Sequence, residues 1–274
     1  MKKILKTMLS GLIVGSAMLL PGVSGGTTAI ILGCYDKLIG AVSGIFKEFK
    51  KNFLYLFQFA MGALVGFLLF AKLIEKLLIT FDVSMRYLFL GAIVGTIPML
   101  YRKAIPKVDG KRDFKWTDAL LLLLGVLLLM PMAFVQNTTL FQFPDGIGLR
   151  EVAILFVAGI AIAVALVLPG ISVSFTLLIL GIYERTLSAI ANLDIVFLFP
   201  LAFGVLVGTF ACAALLEKAM EKFTRQTYLI IGGFVLASVF ELFPGIPSGF
   251  GVAVCVAMFI AGFMLTFLIG KRDK

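Results

Sequence analysis

Two short stretches place helix-breaking residues beside hydroxyls inside otherwise apolar sequence: Pro21-Gly22-Val23-Ser24-Gly25-Gly26-Thr27-Thr28 and Pro169-Gly170-Ile171-Ser172-Val173-Ser174-Phe175-Thr176. Proline removes a backbone donor and glycine permits sharply turned backbone, so a helix must stop at Pro21 and Gly22, and again at Pro169 and Gly170. A helix restarting near Thr27 presents N–H groups without intrahelical acceptors and the positive end of its dipole. Ser24, Thr27 and Thr28 add hydroxyls, and Gly25 and Gly26 leave the backbone accessible. Ser172, Ser174 and Thr176 supply the same groups from the second stretch. Such a donor set binds anions. For a single copy, capping and turning two helices would be explanation enough. Two copies facing each other inside a bilayer call for a ligand or water at their tips.

The acids recur in matching pairs, Asp36-Lys37 with Glu184-Arg185 and Glu75-Lys76 with Glu217-Lys218. With no histidine in the chain, these carboxylates are the candidates for coupling to a proton or sodium ion. Asp36 and Glu184 are favoured because each lies about half a membrane from an anion-binding tip. The structural alternative is that Asp36 and Glu184 pair with Lys37 and Arg185 at the interface, and that Glu75 and Glu217 mark helix ends. The lack of histidine also excludes His-based zinc sites and Ser-His-Asp triads. No P-loop or Rossmann fingerprint is present, which argues against an ATP-driven pump. No enzyme centre, metal or cofactor is read from the sequence.

The elements that must position these groups lie in lipid. Of the 274 residues, 61% are hydrophobic and 14% charged, against about a quarter charged in soluble domains. Several uncharged runs reach or approach the roughly 20 residues needed to cross a hydrocarbon core. The net charge of +9 sits in short basic blocks between apolar runs, without an aromatic platform for nucleic acid. Cys34, Cys212 and Cys255 have neither CxxC spacing nor an even count and read as packing residues. The basic, then apolar, start resembles a signal peptide. Its pattern recurs inside the chain without a basic leader, so the first segment is expected to remain in the fold.

That recurrence defines two halves, 1–150 and 151–274. Met18 to Ser24 matches Leu166 to Ser172 at an offset of 148, and Ile31-Leu32-Gly33-Cys34-Tyr35-Asp36-Lys37 matches Ile179-Leu180-Gly181-Ile182-Tyr183-Glu184-Arg185 at the same offset. After a gap, Gly62 and Gly66 pair with Gly204 and Gly208, whose spacing suits close helix packing. Each half holds five apolar segments, an odd number, so the second half enters the membrane from the opposite side. If the second segment spanned fully, Asp36 and Lys37 would be stranded at mid-membrane, at a cost of at least ~2.5–3.5 kcal/mol each. A re-entrant hairpin avoids this, because a helix running from Thr27 brings Asp36 back to its entry surface. The predicted fold is therefore an all-α polytopic membrane protein of two inverted repeats, each a re-entrant helical hairpin followed by three transmembrane helices. Under this topology 18 of the 24 basic residues fall on one side, including the block from Arg102 to Lys115. Both termini are then cytoplasmic, and 136–150 and 244–250 face outward.

With Pro21-Gly22-Val23-Ser24-Gly25-Gly26-Thr27 followed by Gly33-x-Tyr35, and Pro169-Gly170-Ile171-Ser172 followed by Gly181-x-Tyr183-Glu184, the chain resembles the PopT-type undecaprenyl-phosphate translocases of bacteria. Val173 stands where the family form expects glycine. The resemblance implies a multi-pass protein of the bacterial cytoplasmic membrane. It would return a polyprenyl-phosphate carrier lipid from the outer to the cytoplasmic leaflet for envelope polymer synthesis. Two other readings stay open. One is an undecaprenyl-pyrophosphate phosphatase, which would need a catalytic arginine or histidine beside the serine. The other is a transporter of a small soluble anion.

Overall fold

The computed structural model describes residues 2–19, 23–107, 112–134, 148–249 and 251–272, which form helices joined by short turns. Pro21, Gly22 and most of the expected outward loop 136–150 lie outside the described residues. The helices are α1 (Lys2–Ala17), α2 (Gly25–Ile31), α3 (Tyr35–Ser43), α4 (Phe49–Ala104), α5 (Trp116–Phe134), α6 (Leu149–Val167), α7 (Val173–Ile179), α8 (Tyr183–Ala191), α9 (Ile195–Lys222), α10 (Thr224–Leu242) and α11 (Gly251–Arg272). Non-helical backbone at Phe81 (φ −134°, ψ 36°) breaks α4. Its two limbs, Phe49–Ile74 and Ile79–Ala104, are each long and apolar enough to cross a membrane, as are α6, α9 and Gly251–Gly270 of α11. Large apolar side chains such as Phe53, Leu68, Leu127, Phe199, Leu206 and Leu265 are exposed along these helices. Such continuous apolar surface requires lipid as its solvent. The all-helical, multi-pass membrane class expected from composition is the one observed.

Helix packing depends on glycines that let backbones touch. A Cβ on Gly11 or Gly62 of the α1–α4 contact would collide with the carbonyl oxygens of Phe59 or Met8. The α6–α9 contact repeats this arrangement, with Gly159 against the Leu201 carbonyl and Gly204 against that of Phe156. A second kind of contact crosses between halves. Gly91 and Gly262 join the later limb of α4 to α11 through the carbonyls of Phe259 and Leu88, while Gly233 and Gly125 join α10 to α5 through those of Leu122 and Ile230. Gly11 and Gly159 stand at the offset of the motifs, and Gly91 and Gly233 at that of Gly62 and Gly204. A glycine seam of this sort replaces the hydrophobic driving force that lipid cannot supply.

Arg225 fastens the beginnings of α10 and α5. Its Nε and Nη2 donate to Asp118 at 2.7 and 2.5 Å, and Nη2 also donates to the Asp113 carbonyl at 2.7 Å. The Asp118 side chain is 1% exposed, so this ion pair shields a charge at the end of the bundle. Arg225 and Asp118 each stand in the first turn of their helices, which therefore run parallel.

Candidate functional site

The hairpin tips meet inside the bundle. A Cβ on Gly170 would strike the backbone of Phe234 and Val235, which places this tip half-way along α10. Gly170 has φ +87°, a left-handed conformation that a side chain would strain, and its N–H donates to Thr27 Oγ1 at 3.1 Å. Gly26 lies flat against Pro169, and its Cβ would come 3.1 Å from the Pro169 Cα. Gly26 and Thr27 thus join the two tips to each other.

Beside this junction is a cavity of about 390 Å³. Ser24, Gly25, Ser172 and Ser174 supply its polar lining, and Met18, Leu19, Leu166 and Leu178 are among its apolar residues, Met18 lying next to Gly25. Ser24 and Ser172 also cap α2 and α7, their Oγ atoms accepting from the N–H groups of Thr27 at 3.5 Å and Phe175 at 3.4 Å. Accepting in this way leaves each hydroxyl hydrogen free to donate. The N–H groups of Gly25, Gly26, Val173 and Ser174 precede the first intrahelical bond and make none with another described residue. No charged residue is found in the described lining.

Not every residue singled out by spacing reaches the cavity. Thr28 and Thr176 turn their hydroxyls back to the carbonyls of Ser24 and Ser172, at 3.3 and 2.9 Å. The returning limbs also differ from the expected continuous helix between Thr27 and Asp36. Each stops after seven residues, at Ile31 or Ile179, because Gly33 (φ 65°) and Gly181 (φ 74°) close left-handed C-caps. These caps carry the bonds Cys34 N to Ala29 O and Ile182 N to Leu177 O. Helices α7 and α8 consequently meet at a bend of 112°. A seven-residue helix aligns few peptide dipoles, so the hydroxyls and free N–H groups are the main donors.

The carboxylates are spread around this centre. Asp36, in the first turn of α3, pairs with Lys103 at 2.5 Å rather than with Lys37, whose ammonium lies 4.0 Å from the Tyr55 ring centroid. Arg185 pairs with Asp194 at 2.8 Å, and Glu184 is exposed. Glu217 receives a hydrogen bond from Ser43, tying α9 to α3. Glu75 stands at the end of the first limb of α4. Sequence spacing assigned no role to Tyr35, although it is completely buried and its hydroxyl donates to the Val167 carbonyl at 2.8 Å. A tyrosine following Ile-Leu-Gly in both halves was the available signal.

Comparison with known proteins points to membrane transporters of polyprenyl phosphate. The chain is 30% identical to a polyprenyl-phosphate transporter of Staphylococcus aureus, over 96% of its own length and 95% of the relative's. It is 28% identical to a polyprenyl-phosphate transporter of Vibrio cholerae, covering 88% of this chain and 78% of that one. No solved structure matches it. The model of the undecaprenyl phosphate translocase-like family matches residues 1–108 and 104–248, and the chain belongs to that family.

Proposed function

We propose that this protein translocates a polyprenyl phosphate, specifically undecaprenyl phosphate, from the outer to the cytoplasmic leaflet of the bacterial inner membrane. The observation that carries this reading is the cavity between the hairpin tips. Its polar wall offers neutral hydroxyl and N–H donors to a phosphate, while Met18, Leu166 and Leu178 beside it are exposed apolar residues suited to a prenyl chain. At about 390 Å³ the cavity holds a head group and the first isoprenoid carbons, leaving the remaining tail in lipid. Neutral donors also hold an anion loosely enough for release, which a transport site requires.

The parallel helix pairs support two inverted halves, 1–150 and 151–274. With α1 and the first limb of α4 starting on one face, the second limb returns there, and α5 and α10 start from that face. Helix α11, parallel to the second limb, starts on the opposite face together with α6 and α9. The positive-inside bias makes the first face cytoplasmic. Inward movement of the phosphate opposes an inside-negative potential by ~2.3 kcal/mol per charge per 100 mV, which calls for a lipid gradient or a coupled proton or sodium ion. Asp36, Glu184, Glu75 and Glu217 remain the carboxylates on offer for that coupling.

The test uses proteoliposomes with undecaprenyl phosphate in one leaflet, following lipid transfer and inorganic phosphate release together. Transfer without phosphate release is expected, and Ser172→Leu should abolish transfer in protein that still inserts. Stoichiometric phosphate release would replace this reading with the phosphatase. Unchanged transfer by Ser172→Leu would remove the cavity from the path.

A further inference from the structure

The two halves share their packing but not their state. At the tip of the first hairpin, Tyr35 is completely buried and holds the Val167 carbonyl. At the offset of 148 that relates the halves, Tyr35 corresponds to Tyr183 and Val167 to Leu19. Tyr183 and Leu19 both line the tip cavity. Tyr183 is only half-buried, and its hydroxyl makes no hydrogen bond among the described residues.

The surrounding contacts break symmetry in the same sense. Helix α3 lies along α9 of the other half, joined by the Ser43–Glu217 bond and by the Phe46 and Phe210 rings at 5.5 Å. Asp36 is tied to Lys103. On the opposite face α8 rests on α9 of its own half, and no packing of α8 on α4 comparable to that of α3 on α9 is found among the described residues. Arg185 is held by Asp194 as Asp36 is by Lys103, each within its own half, so the ion pairs do not distinguish the two faces. Helix α3 is thus bridged to the other half, whereas the corresponding donor and acceptor, the Tyr183 hydroxyl and the Leu19 carbonyl, are not bonded to each other among the described residues and belong to residues that line the cavity.

We propose that Tyr183 and the Leu19 carbonyl are the reciprocal of the Tyr35–Val167 bond, and that the two latches alternate. In the state described here the first latch is closed and the cavity opens toward the α8 face. When Tyr183 closes on Leu19, the cavity wall collapses on that side, Tyr35 releases Val167, and α3 leaves α9 to open the other face. The tyrosines act as positioning residues for transport, with no contact to the phosphate required. What passes through the gate rests on the transport reading; the latch itself is measured without lipid substrate.

The experiment uses the full chain with Cys34, Cys212 and Cys255 replaced by alanine and Ser174→Cys as a probe in the cavity. Membrane vesicles of both orientations are treated with a membrane-impermeant thiol reagent. Tyr183→Phe removes the donor that closes this face, and Tyr35→Phe removes the donor that keeps it open. Since a net hydrogen bond shifts an equilibrium a few-fold, labelling from the α8 face should be roughly tenfold faster in Tyr183→Phe than in Tyr35→Phe. A second probe, Ala41→Cys, is buried in α3 near the Ser43–Glu217 bond and does not depend on the Tyr35 variant folding. Its labelling from the α3 face should fall a few-fold when Tyr183→Phe is added. Equal or reversed rates at Ser174→Cys, or an Ala41→Cys rate unmoved by Tyr183→Phe, would overturn the reciprocal latch while leaving lipid transfer untouched as a separate measurement.

Discussion

The hydroxyl of Thr27 accepts a hydrogen bond from the backbone N–H of Gly170 at 3.1 Å, joining two hairpins whose residues lie 143 apart in sequence. Both partners are buried at the centre of the bundle, where water cannot replace either. Thr27→Val keeps the side-chain shape and leaves the Gly170 N–H unpaired, which should cost about 1–3 kcal/mol. Thermal unfolding in detergent should show this loss, and Thr27→Ser should restore most of it. Equal stability of the valine and serine variants would mean that the tips are held by packing alone.

At Gly26 the approach to Pro169 leaves no room for a side chain. Gly26→Leu should force the tips apart and stop lipid transfer, although the residue stands behind the cavity wall and not in it. Gly26→Ala, whose Cβ would sit 3.1 Å from the Pro169 Cα, should retain partial transfer because a shift of a few tenths of an ångström accommodates it. Full transfer by the leucine variant would show that the tips need not touch.

The glycine seams predict paired sensitivities. Gly62→Val and Gly204→Val each drive a side chain into a carbonyl of the adjoining helix, Met8 in one half and Phe156 in the other. Each should destabilise by about 1–3 kcal/mol or more. Gly232, with nothing near its missing Cβ, should accept alanine without loss. Comparing melting temperatures of the three variants checks both halves of the statement.

The two interhelix ion pairs should behave differently. Asp36 and Lys103 are partly exposed, so Asp36→Asn should cost about 0–1 kcal/mol. Asp118 is enclosed, and Arg225→Ala strands its charge, a loss of about 3 kcal/mol because the arginine is itself partly exposed. Adding Asp118→Ala should recover part of that loss. A double-mutant cycle with no coupling between Asp118 and Arg225 would contradict the geometry.

Topology offers a test independent of transport. Lys37→Cys on α3 and Arg185→Cys on α8 should react with an impermeant reagent from opposite faces of the membrane. Reaction from the same face would remove the inverted arrangement.

Much of this design is legible in the chain because it follows local rules. Apolar run lengths demand a membrane, Pro-Gly breaks demand a turn, and the matched Pro-Gly-Val/Ile-Ser stretches place two such turns in equivalent positions. Gly62, Gly66, Gly204 and Gly208 announce close helix contacts through their spacing alone. What the cavity contains was less legible. Ser24, Gly25, Ser172 and Ser174 line it, but Thr27 turns to the other tip and Thr28 and Thr176 to their own helices, choices set by which acceptor lies nearest after folding. Asp36 finds Lys103 instead of its neighbour Lys37 because the caps at Gly33 and Gly181 redirect α3 and α8, and a single φ angle decides where a charge emerges. Tyr35 and Tyr183 follow the same Ile-Leu-Gly stretch and precede an acid and a base, yet one is buried and bonded to Val167 while the other is half-buried and lines the cavity. The shared motif gives no sign of that difference; it arises because the Tyr35 hydroxyl finds the Val167 carbonyl, 132 residues away, only once the chain has packed.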